Sequence, residues 1–407
     1  MNRLLLSQSI IVQSAFVALF MKGTIVDFIN VCSKLLLGKE IEIIGLLVTI
    51  IASILLFFGM LSIVFKCKKF VMVSLLGFIF LWCISGILHP KTVEFLKDNA
   101  TQFFFTCLPY MWIFYYMFYE TNNKESKNYY INCIYKSSIV RTCIALVSQT
   151  IMFIFPSSDI YNDYMTAAYT ILISAVFVLC YYMTRKHKSF LIKALVIMSP
   201  LYMLLLGCRG ALLFYGAFVI IFKILKLDGN NNSSINILNF LYVSIFAAFS
   251  VVLLQGLVII LSKIDVNSHA VELIANSKFF TDSIRSELFG LLIDYILINP
   301  FGYGIFADRL IIPETNLFWE ITYSHNILLE LCIDFGYIGL PLFAYLVYVI
   351  YKSFIYAGTH QKVIILALFC SSFLKLLVSS SLWQEQMFYA LLGVVFATYR
   401  MPINICT

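Results

Sequence analysis

Three short stretches of the chain hold residue types that could do chemistry, and each has a plainer reading beside it. The first is Gly207-Cys208-Arg209-Gly210. An arginine at the end of an apolar run is costly unless it snorkels to water or finds a partner. Flanking glycines would let the backbone approach a ligand closely. The plainer reading is an interfacial arginine that snorkels. The second stretch is Arg285 followed by Asn299-Pro300-Phe301-Gly302-Tyr303-Gly304. A guanidinium offers a planar fork of donors that matches phosphate oxygens in pairs, although a solvated arginine on a helix surface would look the same. The third is Tyr323-Ser324-His325-Asn326, with Leu328, Leu329 and Leu331 after it and then Phe335-Gly336-Tyr337-Ile338-Gly339-Leu340. Histidine has a reference pKa of ~6.5 and is the usual general base near neutral pH. A lone histidine can equally be structural.

The elements that must position these residues are set by composition. Of 407 residues, 61% are hydrophobic and 12% charged, and the mean hydropathy is +0.93. A water-soluble domain of this length needs far more charge. A span needs ~20 mostly apolar residues, and in lipid the backbone must satisfy its own hydrogen bonds, so such runs are helices. The expected fold is all-α: a polytopic integral membrane bundle of about twelve spans forming one transmembrane domain over residues 1–407. The spans fall at 9–28, 41–65, 70–88, 103–120, 137–155, 165–183, 190–206, 210–226, 237–261, 336–353, 362–380 and 383–400. The first of them lacks a cleavage site of small residues and reads as a retained span.

The net charge of +7 does not signal a nucleic-acid partner, because the basic residues cluster beside the apolar runs. With the N-terminus inside, Lys66, Lys68, Lys69, Lys124, Lys127, Lys136, Arg185, Lys186, Lys188, Lys223, Lys226, Lys352, Lys362 and Arg400 fall on one side. By the positive-inside rule that side is cytoplasmic. Both termini then face the cytoplasm, while the 209 turn, the 262–335 loop and the 381 turn face out. The eleven cysteines form no CxxC pair and no Cys/His ligand spacing, so neither a disulfide framework nor a metal site is indicated, and no cofactor is expected.

The external loop at 262–335 is too long to be a plain connector. Thr281, Asp282 and Ser283 offer helix N-caps, and Ile284, Leu288, Leu291, Tyr295 and Ile298 follow at helical spacing. Asn299-Pro300-Phe301-Gly302 stops that helix. Its other face carries Glu287 and Asp294. The amphipathic pattern predicts a helix lying on the membrane surface or against the bundle.

Taken together, the Arg-Gly turn before a span, the later arginine with Asn-Pro-x-Gly-x-Gly, and the His-Asn before a Leu-rich helix and Gly-x-x-Gly resemble one family. It is the O-antigen polymerase/ligase family of bacterial membrane glycosyltransferases, and the resemblance covers roughly residues 200–355. It implies an enzyme of the bacterial cytoplasmic membrane with its active face outside. The donor it implies is an oligosaccharide on a polyprenyl pyrophosphate, passed to a sugar hydroxyl. Arg209 and Arg285 would hold the pyrophosphate and stabilise its departing charge, and His325 would take the acceptor proton. Glu287, Tyr303, Asp308, Arg309, Tyr323 and Asn326 would contact substrate, and Trp319 could stack on a sugar face. No Asp-x-Asp pair accompanies them, so a metal need not be invoked, and direct displacement would invert the anomeric centre. Membrane lipid, a chain-length regulator and a flippase are the implied partners. His89, His187, His269 and His360 receive no role.

Within the resemblance, a polymerase joining repeat units is favoured over a ligase that moves the finished glycan to another acceptor. Both would use the same arginines and histidine. The competing class is a transporter, including a flippase for the same lipid-linked sugars. Transport calls for charges deep in the membrane, for which Lys375 and Asp27 are the candidates, neither with an obvious partner in sequence.

Overall fold

The computed structural model describes residues 2–38, 42–119, 124–155, 164–185, 189–225, 227, 283–314 and 323–399. The expected span at 237–261, the caps Thr281 and Asp282, and Trp319 lie outside the described residues. The described residues are all-helical, with no strand among them. Five stretches among them are long and apolar enough to cross a membrane: Gln8–Leu37, Glu42–Leu88, Asn128–Ile154, Met165–Thr184 and Ile327–Tyr356. Phe190–Leu205 and Gln386–Tyr399 are shorter apolar helices.

The helices gather into two compact units, one of residues 1–26, 42–137 and 283–407, the other of residues 27–41 and 138–282. In the first unit, α1 (Asn2–Leu37) contributes its first part, followed by α2 (Glu42–Leu88). The expected spans 41–65 and 70–88 are one element here, because α2 continues past a non-helical residue, Cys67, at φ −109° and ψ 29°. That break sits among Lys66, Lys68 and Lys69. An unbroken helix of 47 residues would reach roughly 70 Å, more than twice a hydrocarbon core. Much of α2 presents Ile43, Leu46, Ile51, Phe57, Phe65, Leu76 and Phe80 outward, a face suited to lipid as its solvent. A Cβ on Gly59 would stand 2.2 Å from the Ala15 side chain. Small residues therefore let the Ala15 methyl of α1 seat against the backbone of α2 at Gly59.

After the short α3 (Val93–Gln102), a π-helical turn at Phe103–Cys107 leads into α4 (Leu108–Tyr119). α4 is buried almost throughout, and packs on α15 (Gln386–Tyr399). A Cβ on Gly393 would fall 2.2 Å from Met111 O, so glycine sets how closely these two helices approach. α5 (Lys124–Ile154) passes from this unit into the second.

The second unit contains α6 (Tyr164–Thr184), α7 (Phe190–Leu205) and α8 (Arg209–Ile224). Tyr215 of α8 donates its hydroxyl to Val196 O of α7 at 2.9 Å.

The first unit resumes with α9 (Ser283–Ile298), α10 (Asp308–Glu314), α11 (Ile327–Phe335) and α12 (Gly339–Tyr356). The expected helix in the external loop is present as α9, but its buried stripe is Leu288, Leu292 and Ile296, with Leu291 and Tyr295 at the margin and Ile298 exposed. The stripe turns because α9 docks on Ala307, Ile311, Ile312, Cys332 and Ile333 rather than lying free on a surface. Finally α13 (Thr359–Leu368) runs through a second π-helical turn, Phe369–Phe373, into α14 (Leu374–Leu376), and a turn at 377–385 leads to α15.

Candidate active site around His325

α11 is built from an apolar sequence, Ile327-Leu328-Leu329-Glu330-Leu331-Cys332-Ile333-Asp334-Phe335, that carries two carboxylates one turn apart. Both are buried, Glu330 completely and Asp334 to 2% exposure. Like charges at this spacing repel on a helix, and a buried acid without donors is costly. The turn at 377–385 supplies the donors. Ser381 Oγ donates to Glu330 Oε1 at 2.5 Å and Leu382 N to Oε2 at 2.7 Å. Trp383 Nε1 donates to Asp334 Oδ2 at 2.7 Å. The same turn is gripped from the preceding residues: Tyr323 Oη donates to Ser379 O at 3.1 Å and Asn326 Nδ2 to Leu377 O at 3.2 Å. It is closed from inside by an ion pair between Lys375 and Glu385, the latter also bonded by Ser380 Oγ at 3.1 Å.

His325 stands between these anchors. It is only 9% exposed and has a positive φ of 54°, a conformation uncommon for a non-glycine residue. Its ring centroid lies 4.0 Å from that of Tyr323. On its N-terminal side Ser324, fully buried, donates its backbone N–H to Asp308 Oδ2 at 2.8 Å. On its C-terminal side Asn326 caps α11, its side-chain oxygen accepting from Leu328 N at 2.9 Å and Leu329 N at 3.3 Å. The histidine backbone is thus fixed from both neighbours.

Asp308 is fully buried, and burial pushes its carboxyl up from the ordinary 3.8 against the opposing pull of Arg309 and the Ser324 N–H. The Arg309 guanidinium lies over the Phe306 ring, 4.7 Å from its centroid. Its Nε and Nη2 are shielded from solvent and make no hydrogen bond among the described residues. Phe306 joins Trp82 and Trp383 at centroid distances of 5.9 and 6.3 Å, so aromatic faces line the floor beneath the charged residues.

The Asn-Pro-x-Gly-x-Gly stretch proves to be a brace for α11. Tyr303 N donates to Ile333 O at 2.8 Å, Gly304 N to Asp334 O at 3.1 Å, and Tyr337 N to Pro300 O at 2.9 Å. Asn299 turns the chain by donating to Gly302 O at 2.6 Å and accepting from Phe301 N at 3.2 Å. Tyr303 hydroxyl donates to Tyr295 O at 3.0 Å, and burial pushes its phenol up. Gly304, at φ 97°, leaves room for His89, whose ring atoms would lie 2.8 Å from a Cβ there. His89, given no role from sequence, is a packing partner of this brace.

The remaining sequence candidates are placed as follows. Arg209 opens α8 in the second unit, half-buried. Gly207, at φ 71°, ends α7 with Gly207 N donating to Leu204 O and Cys208 N to Met203 O, the left-handed helix stop that glycine favours. Gly210 makes room for the Tyr169 hydroxyl, 2.5 Å from where its Cβ would be. One glycine ends a helix and the other makes room for a side chain. Arg285 lies in the first turn of α9, and Glu287 is exposed on the same helix. Tyr323, His325, Asn326, Asp308 and Arg309 are brought together. Sequence reasoning missed Glu330, Asp334, Ser381, Trp383 and the Lys375–Glu385 pair. The available signal was the i, i+4 carboxylate pair inside an apolar helix, which demands donors from elsewhere.

Residues 193–344 match the family described as O-antigen ligase. That segment belongs to the O-antigen polymerase/ligase family. It contains Arg209, Arg285, Glu287, Tyr303, Asp308, Arg309, Tyr323, His325 and Asn326. With its long apolar helices, the family segment supports an integral membrane protein. No curated protein and no solved structure matches the chain. The turn at 377–385, which supplies donors to the family segment, lies beyond it.

Proposed function

We propose that this protein joins polyprenyl-pyrophosphate-linked oligosaccharide repeat units into a surface polysaccharide, O-antigen or capsule, at the outer leaflet of the bacterial cytoplasmic membrane. The observation that carries the reading is His325, the only histidine within the family segment besides His269, held in a buried and backbone-fixed turn. In this mechanism an acceptor sugar hydroxyl attacks the anomeric carbon of the donor as its proton passes to His325. The carbon–oxygen bond to the lipid pyrophosphate breaks, and the electron pair leaves with the phosphate. Arg209 and Arg285 stabilise that departing charge. The step needs no metal and inverts the anomeric centre. Glu287 and Arg309 contact the sugars, while Tyr303, Tyr323, Asn326 and Asp308, whose polar atoms bond to backbone groups, hold the backbone around His325 and α11. A flippase delivers the substrate and a chain-length regulator sets the product size.

The description of the family as O-antigen ligase supports a second reading, transfer of finished glycan to another acceptor. A transporter reading is weakened because Lys375, one of its two deep charges, is paired with Glu385 inside the turn. The deciding test is a deletion strain carrying either the wild-type gene or His325→Ala, with surface glycan resolved by size. A single repeat unit on the anchor in both the deletion and the His325→Ala strain supports the polymerase. Long chains accumulating on the carrier lipid establish the ligase instead, and loss of precursor from the outer leaflet establishes a flippase.

A further inference from the structure

Asp308 is a carboxylate buried without any exposed surface, in the family segment but outside the Arg–Arg–His set. Within its own short helix it meets Arg309, which offsets part of the cost of burying it. What it does there is accept the backbone N–H of Ser324 at 2.8 Å, across the 315–322 stretch. The residue after Ser324 is His325, whose φ of 54° an L side chain adopts only when the surroundings over-determine it. Each of the other neighbours is also pinned: Tyr323 to Ser379 O, and Asn326 to Leu377 O and to the first N–H groups of α11. Asp308 holds the Tyr323–Ser324 peptide, one residue before the histidine.

We propose that Asp308 is a positioning residue, whose hydrogen bond to the Ser324 N–H holds His325 in its left-handed conformation and so aims the imidazole. The proposal rests on the reading of His325 as the base. It needs an acceptor oxygen at this place rather than a negative charge, and asparagine keeps such an oxygen while alanine does not.

The test compares Asp308→Ala and Asp308→Asn in the full-length protein, in two ways. One is carbethoxylation of His325 by diethyl pyrocarbonate, followed by mass spectrometry of the purified protein. The other is polymer formed by a complemented deletion strain. Release of the turn should raise the His325 modification rate at least about fivefold in Asp308→Ala and cut polymer about tenfold or more, whereas Asp308→Asn keeps the wild-type modification rate and at least about a third of the polymer. An unchanged modification rate in folded Asp308→Ala overturns the proposal. If the alanine variant does not fold, Asp308→Asn decides alone: wild-type protection of His325 with polymer retained supports positioning. Polymer lost in a folded Asp308→Asn protein overturns it, since charge rather than the hydrogen bond would then be acting, and so does failure of that variant to fold. Should the modification rates follow the prediction while His325→Ala still makes normal polymer, it is the base assignment that fails and the hold on the turn that stands.

Discussion

Gly336 occupies the space a side chain on Gly302 would need, and the Pro300-Phe301 backbone just before Gly302 occupies the space a side chain on Gly336 would need. A Cβ on Gly302 would lie 2.5 Å from Gly336 N, and one on Gly336 would lie 1.9 Å from Pro300 O. Both have positive φ, 84° and 63°. The two glycine motifs of the sequence are therefore the two halves of one brace, which ties the loop after α9 to the end of α11. Alanine at either position meets backbone rather than a movable side chain and also adopts a disfavoured φ.

Gly336→Ala should consequently destabilise the protein by roughly 2–4 kcal/mol. Gly216, in α8, has open space around its Cβ position, and Gly216→Ala should be neutral or gain up to about 1 kcal/mol. Thermal denaturation of the two detergent-purified variants checks this. Equal melting temperatures would remove the brace.

Lys375 and Glu385 pair at the base of the 377–385 turn, with 15% and 5% of their side chains exposed. Removing one partner leaves the other charge poorly solvated, so Lys375→Met and Glu385→Gln should each cost about 3 kcal/mol. The double variant should lose clearly less than the sum, since neither uncompensated charge remains. Additive losses in a double-mutant cycle would mean that the two side chains act independently.

The helices are legible in the sequence because long apolar runs in lipid have no other backbone solution. The fusion of two expected spans into α2 is not, since Lys66, Lys68 and Lys69 read as a loop while the backbone needs only one non-helical residue, Cys67, to pass them. The stretch from Tyr323 to Asn326 is legible by residue type. Its supports are hidden, because Glu330 and Asp334 sit in a run that reads as plain apolar helix and their donors come from a distant turn. Asn299, Pro300, Gly302 and Gly304 stand out by residue type, and in the fold those types serve backbone conformation and close packing.

Arg209→Ala and Arg285→Ala should each reduce polymer by roughly ten- to a hundredfold while the protein still reaches the membrane, as expected for lost stabilisation of departing phosphate charge. Lysine at either position should restore only part, because a point charge does not reproduce the paired donors of a guanidinium. Glycan sizing with an immunoblot of the membrane fraction gives both readings. Normal polymer from both alanine variants would eliminate the pyrophosphate clamp.

The buried carboxyl of Asp308 leads to a pH dependence with a definite sign. Burial raises its folded-state pKa above 3.8, so the folded protein binds this proton more tightly than the unfolded chain does. Its stabilising contribution is then complete below the unfolded value and is lost as pH rises through the raised folded value. An asparagine amide in its place would resemble the protonated acid at every pH, so the Asp308→Asn protein should escape that loss. Its melting temperature minus that of wild type should increase as pH is raised above about 4, then level off once Asp308 in the folded wild-type protein is fully ionised. Subtracting the two curves cancels the titration of groups unaffected by the substitution. A difference that falls with rising pH would mean that Arg309 and the Ser324 N–H outweigh burial, making the ionised carboxylate the favoured form in the folded protein.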